Sequence, residues 1–157
     1  MLRVNNLVGF GSGGKSTNIT GTNTSNNGSN DNTGTYNFSS MSVGAEASDR
    51  LIVCVIGWSN NASLTSATIL GVTATEHIEM SNQSHCSALI SAAVPTGTSG
   101  TISFSISPNG TRAQVTVYRL VGQLDNTPYD TDSSDSAGAT SLSTSVNVVN
   151  RGLSLAV

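Results

Sequence analysis

Three groups of residues in this 157-residue chain have types and spacings from which chemistry can be built. Gly9-Phe-Gly-Ser-Gly-Gly14-Lys15-Ser16 satisfies G-x-x-x-x-G-K-[ST], and Gly9, Gly11 and Gly14 also satisfy G-x-G-x-x-G. Both patterns grip phosphate through backbone N–H groups where a loop opens into a helix. Here the residues that follow, Thr17-Asn-Ile-Thr-Gly-Thr-Asn-Thr24, are β-branched, Asn and Gly, and make a poor helix. No later strand ends in an Asp suited to magnesium, and no α/β alternation follows. The segment therefore reads as a glycine-rich connector, and no nucleotide or other cofactor is expected.

Asp130-Thr-Asp132-Ser-Ser-Asp135 sets three carboxylates on one stretch, a spacing able to wrap calcium, but it lacks the glycine and closing Glu of an EF-hand loop. It reads as a solvated loop in which Asp and Ser make local turns. His77, His85 and Cys86 offer zinc three ligands from two segments with no fourth nearby. His85 and Cys86 are also adjacent, so on a strand they point to opposite faces and cannot act as a catalytic pair. No metal site is expected. Cys54 and Cys86 fall in two expected strands, and their pairing stays open. Glu76 and Glu79 share one short segment, whereas glycoside hydrolysis needs carboxylates facing each other across a cleft. No Ser-His-Asp set assembles, so no catalytic residue is assigned and the chain is not expected to be an enzyme. The triplets Asn18-Ile-Thr20 and Asn61-Ala-Ser63 follow from composition and say little about glycosylation.

The elements that would position these residues are strands. Ser, Thr, Asn and Gly make up almost half of the chain, charged residues only 10%, and Lys15 is the single lysine. A net charge of −3 with six scattered Lys+Arg excludes the basic stripe that phosphate neutralisation requires, so no nucleic-acid partner is expected. The longest apolar run, Leu51-Ile-Val-Cys-Val-Ile56, is too short to span a bilayer as a helix, and no membrane partner is expected. Arg50–Trp58 reads as a strand buried on both faces. Thr68-Ile69 and Val72-Thr73 flank Leu70-Gly71, a two-residue hairpin. Cys86, Ala88, Ile90 and Ala92 line one face of a further strand, and Ile102, Phe104 and Ile106 alternate with Ser. Pro108-Asn109-Gly110 reads as a turn before Gln114–Val121, and Glu76–Met80 as one helical turn at most. About eight to nine short strands result, with turn signals about every 8–12 residues: an all-β antiparallel sandwich of jelly-roll type. Residues 9–35 hold only Phe10 and Ile19 as large apolar residues. Residues 1–35 are accordingly expected to be an extended polar N-terminal arm laid on a neighbouring subunit, with Leu2–Val8 as anchor and Val4 or Leu7 facing the partner, and residues 36–157 the sandwich.

Several phrases carry a resemblance. Ala47-Ser-Asp-Arg-Leu-Ile-Val-Cys-Val-Ile56, Ala67-Thr-Ile-Leu-Gly-Val-Thr73, Ala92-Ala-Val-Pro-Thr-Gly-Thr98, and Tyr118-Arg-Leu-Val-Gly122 with Thr127-Pro-Tyr-Asp-Thr131 resemble β-sandwich domains of tailed-bacteriophage and prophage virion structural proteins. The resemblance implies a capsid decoration, cement or head-fibre protein. Its partners would be copies of itself, as a trimer or other oligomer, and other virion proteins such as the major capsid protein. No catalytic residue comes with it. The alternative is a tail-fibre or receptor-binding module recognising host-surface glycans. An exported-looking composition without a signal peptide at Met1–Asn6 fits a virion-surface component assembled in the host cytoplasm.

Overall fold

Period-two alternation of apolar and hydroxyl residues leaves no stripe for a helix, and the described residues contain none. The computed structural model describes residues 6–10, 20–81, 84–123, 125–133, 145–146 and 153–156. They form eleven strands. The first three are β1 (Asn6–Phe10), β2 (Thr20–Ser29) and β3 (Thr33–Ser42). Next come β4 (Leu51–Ser59), β5 (Ser63–Ile69), β6 (Val72–Thr73), β7 (Thr75–Met80) and β8 (His85–Ala93). The long β9 (Ser99–Val121) precedes β10 (Asp130–Ser133) and β11 (Leu153–Ala156). All pairings are antiparallel, giving the expected all-β, sandwich-like architecture.

β9 organises the whole molecule. Its first half lies between β3 and β5, and its second half between β2 and β4. Three long ribbons thus run side by side and bend at one level, near Asp31, Asn60-Asn61 and Ser107–Arg112. Bending folds one half of the sheet onto the other. Pro108-Asn109-Gly110 therefore makes a corner inside β9 and not the expected chain reversal. Ser107–Pro108 is cis, and Asn60, Asn61 and Arg112 take φ values of 92°, 53° and 54°. Asn tolerates the left-handed region because its short side chain bonds locally. The Asn60 amide Nδ2 donates to Asn109 O at 2.9 Å, and the buried Tyr36 hydroxyl sits between the carbonyls of Asp31 and Gly110. These bonds tie the three ribbons together where they bend.

The inner faces meet in one core. Tyr36, Phe38, Ile52, Ile56, Trp58, Ile102 and Phe104 lie in it, with Cys86, Ala88, Ile90 and Ala92 contributed by β8 as their phase requires. β4 is buried on both sides as expected. Leu51, Val53 and Val55 face away from this core and form a second cluster with Leu89 and Leu120, against which Leu153 of β11 packs. The Leu70-Gly71 hairpin is present, with φ of 52° and 79°, the signs that a type I′ turn demands. Glu76–Met80 is part of β7 and not a helical turn.

The N-terminal region departs from the arm expected for residues 1–35. Residues 20–29 are β2, paired along their length with β9 of the same chain, and the boundary at residue 36 falls inside β3. β1 pairs with β10 and β11, Leu7 opposite Asp132 and Ala156. A segment with little to bury is held by backbone ladder bonds, joined in β2 by side-chain bonds of Asn23, Thr24 and Ser25 to main-chain carbonyls. Val4 and residues 11–19 lie outside the described residues.

Candidate functional site

The densest polar cluster gathers where the loops before β4 and after β8 meet. Arg50 is 1% exposed and spends its guanidinium on main-chain carbonyls. Nε donates to Val94 O at 2.6 Å, Nη1 to Gly44 O and Ala45 O at 2.8 and 3.0 Å, and Nη2 to Thr96 O and Gly97 O at 2.9 and 2.7 Å. Glu46 accepts from Gly97 N at 2.6 Å, Arg119 Nε donates to Ala45 O at 2.7 Å, and Asp49 accepts from Gly122 N at 2.8 Å. Burial, aided by the neighbouring Arg119, lowers the Arg50 pKa from its usual range. With five N–H groups engaged, Arg50 is a clamp on two loops and not an anion site. Nothing but its place beside an apolar run marks it in the sequence.

The second constellation joins β7 and β8. His77 Nε2 and Ser91 Oγ are 2.6 Å apart, within the distance of a base and the nucleophile it activates. Ser91, however, is only 2% exposed in the middle of a strand, where no substrate carbonyl can approach it. Burial lowers the His77 pKa, so the neutral ring is favoured. The bond satisfies a buried hydroxyl. Glu79, whose carboxyl is pushed up chiefly by burial, accepts from Leu64 N at 2.7 Å and fastens β7 to β5. Glu76 and Glu79 thus stay on one strand, as their spacing implied, and do not face each other across a cleft.

The remaining sequence candidates do not converge. Cys54 and Cys86 are both buried and are not joined by a disulfide: Cys54 stands opposite Ile90, four residues along β8 from Cys86. His85 is exposed while Cys86 is buried, on opposite faces. Asp130 and Asp132 lie on β10, and Asp132 accepts from Ser145 N at 2.9 Å. No group of three His, Cys, Asp or Glu able to hold a metal occurs among the described residues. Asp135 lies outside them, as do Gly11, Gly14, Lys15, Ser16 and Asn18; Gly9 is paired within β1.

What the fold does present is an uncharged surface. On the outer face of the sheet half made by β3, β9 and β5, Thr35, Ser105 and Ser66 align in one row. Asn37, Ser103, Thr68 and Thr73 align in the next. Thr35 Oγ1 and Ser105 Oγ are 3.0 Å apart. The inward partners Tyr36, Phe38, Phe104 and Ile102 build the core, so alternation alone sends hydroxyls outward. Beside this face β2 and β3 form a rim, paired with β9 on one side only among the described residues. Thr24 Oγ1 and Ser25 Oγ each donate to Ser42 O at 2.8 Å and hold the two parts of the rim together. Tyr129, 64% exposed, stands apart on the loop before β10.

Comparison of the chain with protein-family models, curated proteins and solved structures returned no match. The structure defines an all-β antiparallel, sandwich-like protein.

Proposed function

We propose that this chain is a bacteriophage virion structural protein, a capsid decoration, cement or head-fibre subunit that adheres to the particle surface. The observation that carries the reading is the long rim of β2 and β3 with Asp31 as its single charged residue, adjoining a face of Ser, Thr and Asn. Such a surface binds by strand pairing and many shallow polar contacts and needs no deep pocket. On a symmetric lattice, many weak copies then add up through avidity. The virion-like phrases around Arg50, Leu70 and Tyr118 point the same way. Cross-linking of purified particles followed by peptide mass spectrometry tests it. Links from β2, β3 or the β5 face to the major capsid protein are expected, and a chain absent from particles would refute the reading.

Tyr129 favours one second reading. An exposed ring flanked by Asp125, Asn126 and Asp130 has the makings of a sugar platform, as a receptor-binding module requires. Glycan-array binding lost in Tyr129→Ala would support it, and no glycan binding by the intact chain would remove it.

A further inference from the structure

The strands at the rims of the sheets are not treated alike. Proteins blunt open strand edges by keeping them short or charging them. β6 has two residues, and β7 carries Glu76 and Glu79. β2 has ten residues, no charge and no proline, and among the described residues it pairs only with β9. Its sequence, Thr-Gly-Thr-Asn-Thr-Ser-Asn-Asn-Gly-Ser, is also close to a palindrome.

We propose that β2 is a self-pairing edge, by which two copies of this chain join through antiparallel alignment of Thr20–Ser29 about a two-fold axis between Thr24 and Ser25. In such a contact residue i meets j and j meets i, so a strand must be complementary to its own reverse. β2 is. Thr20 would stand opposite Ser29, Gly21 opposite Gly28, Thr22 opposite Asn27, Asn23 opposite Asn26, and Thr24 opposite Ser25. Hydroxyls oppose hydroxyls or an amide, amides oppose amides, and glycines oppose glycines where a side chain on either strand would crowd the other. Cross-strand Thr and Ser pairs are favourable, and no like charges are brought together.

The register irregularity on the β9 side supports the placement of the axis. Between Asn23 and Ser25 the pairing with β9 slips by one residue. The slip adjoins the axis, so both copies carry it at the same level and the flanking arms, 20–23 against 26–29, keep their register. Thr24 and Ser25 already spend their hydroxyls within the chain, on Ser42 O and, for Thr24, also on Val117 O at 3.3 Å. Asn26 is exposed and Asn27 turns its Oδ1 onto Gly28 N at 2.8 Å, so the arms are solvated when unpaired. This interface deepens the subunit reading by naming a second copy as partner, and it rests on that reading only for its purpose.

The test is sedimentation velocity on the full chain over a concentration series, with amide hydrogen exchange at low and high concentration. Native protein should dimerise, with amides in 20–23 and 26–29 gaining protection as concentration rises. N23K/N26K sets lysine opposite lysine twice and should weaken association roughly tenfold or more, whereas N23K/N26E sets lysine opposite glutamate and should restore it. Circular dichroism melts confirm that both variants fold, and the exchange experiment on native protein needs neither. A native chain that stays monomeric, a dimer indifferent to both variants, or protection confined to other strands would overturn the interface. Particle incorporation is read separately, so failure here leaves the subunit reading to stand or fall on the particles.

Discussion

Replacing Arg50 by methionine keeps an aliphatic stem in the cluster and takes the guanidinium from five carbonyls, of which Ala45 O keeps Arg119 Nε as a donor. A buried ion pair can often be exchanged for apolar residues without loss, because both partners can be replaced. Here the partners are main chain and stay. The bond to Val94 O is fully buried, and an orphaned buried acceptor costs about 2 kcal/mol. Gly44 O, Thr96 O and Gly97 O are partly buried, so water replaces the donor in part, at about 0.5–1 kcal/mol each, while Ala45 O keeps Arg119 Nε. Recovery of the guanidinium's desolvation returns some of this, leaving a loss of about 4 kcal/mol. That is a large share of the roughly 5–15 kcal/mol that holds a domain folded. In a domain of this length it lowers Tm by roughly 8–16 °C. Arg50→Lys retains the charge but offers three donors from one nitrogen, and should lose about 2 kcal/mol. Urea denaturation followed by Trp58 fluorescence measures both. An Arg50→Met variant within about 1 kcal/mol of the native protein, the range of ordinary surface changes, would refute the clamp.

Further outcomes follow from the same geometry. His77 has its pKa lowered in the fold, so the unfolded chain binds more protons as acidity increases. Its contribution is therefore present above the unfolded pKa, about 6.5, and is lost as pH falls through that value; a melting series from pH 8 to 5 should show a steeper fall for native protein than for His77→Gln. Cys54 and Cys86 should resist a thiol reagent until urea unfolds the chain, since both are buried and burial pushes the Cys54 pKa up. Gly110→Ala should cost about 2 kcal/mol by equilibrium denaturation, because a Cβ there would sit 2.8 Å from Ser59 O and against Ile106 at the corner of β9.

The strand class was legible because the core is written in period two. Ile102, Phe104 and Ile106 alternate with Ser103 and Ser105, and the continuous run from Leu51 to Trp58 marks a strand covered twice. Leu70-Gly71 declared its hairpin by the glycine. The corner of β9 was not legible. Pro108-Asn109-Gly110 has the composition of a reversal, and only pairing of both halves of β9 to β2–β3 and β4–β5 turns it into a bend. β2 was missed because Thr, Asn, Ser and Gly bury almost nothing, and its order comes from pairing with Ala113–Val121 far along the chain. Glu76–Met80 lacks the β-branched run of a strand, yet β8 captures it as an edge. The bonds of Arg50 to Val94, Thr96 and Gly97 and the His77–Ser91 bond join residues 14 to 47 apart, which spacing alone does not encode.

The claim that most needs a direct answer is that this sandwich works on the outside of a virus particle. Immunogold electron microscopy of particles from a lysate, with antibody raised against the purified chain, gives that answer. The account predicts gold on the exterior of intact particles, at regular positions on the head. Gold on free material alone, with bare particles beside it, would contradict it.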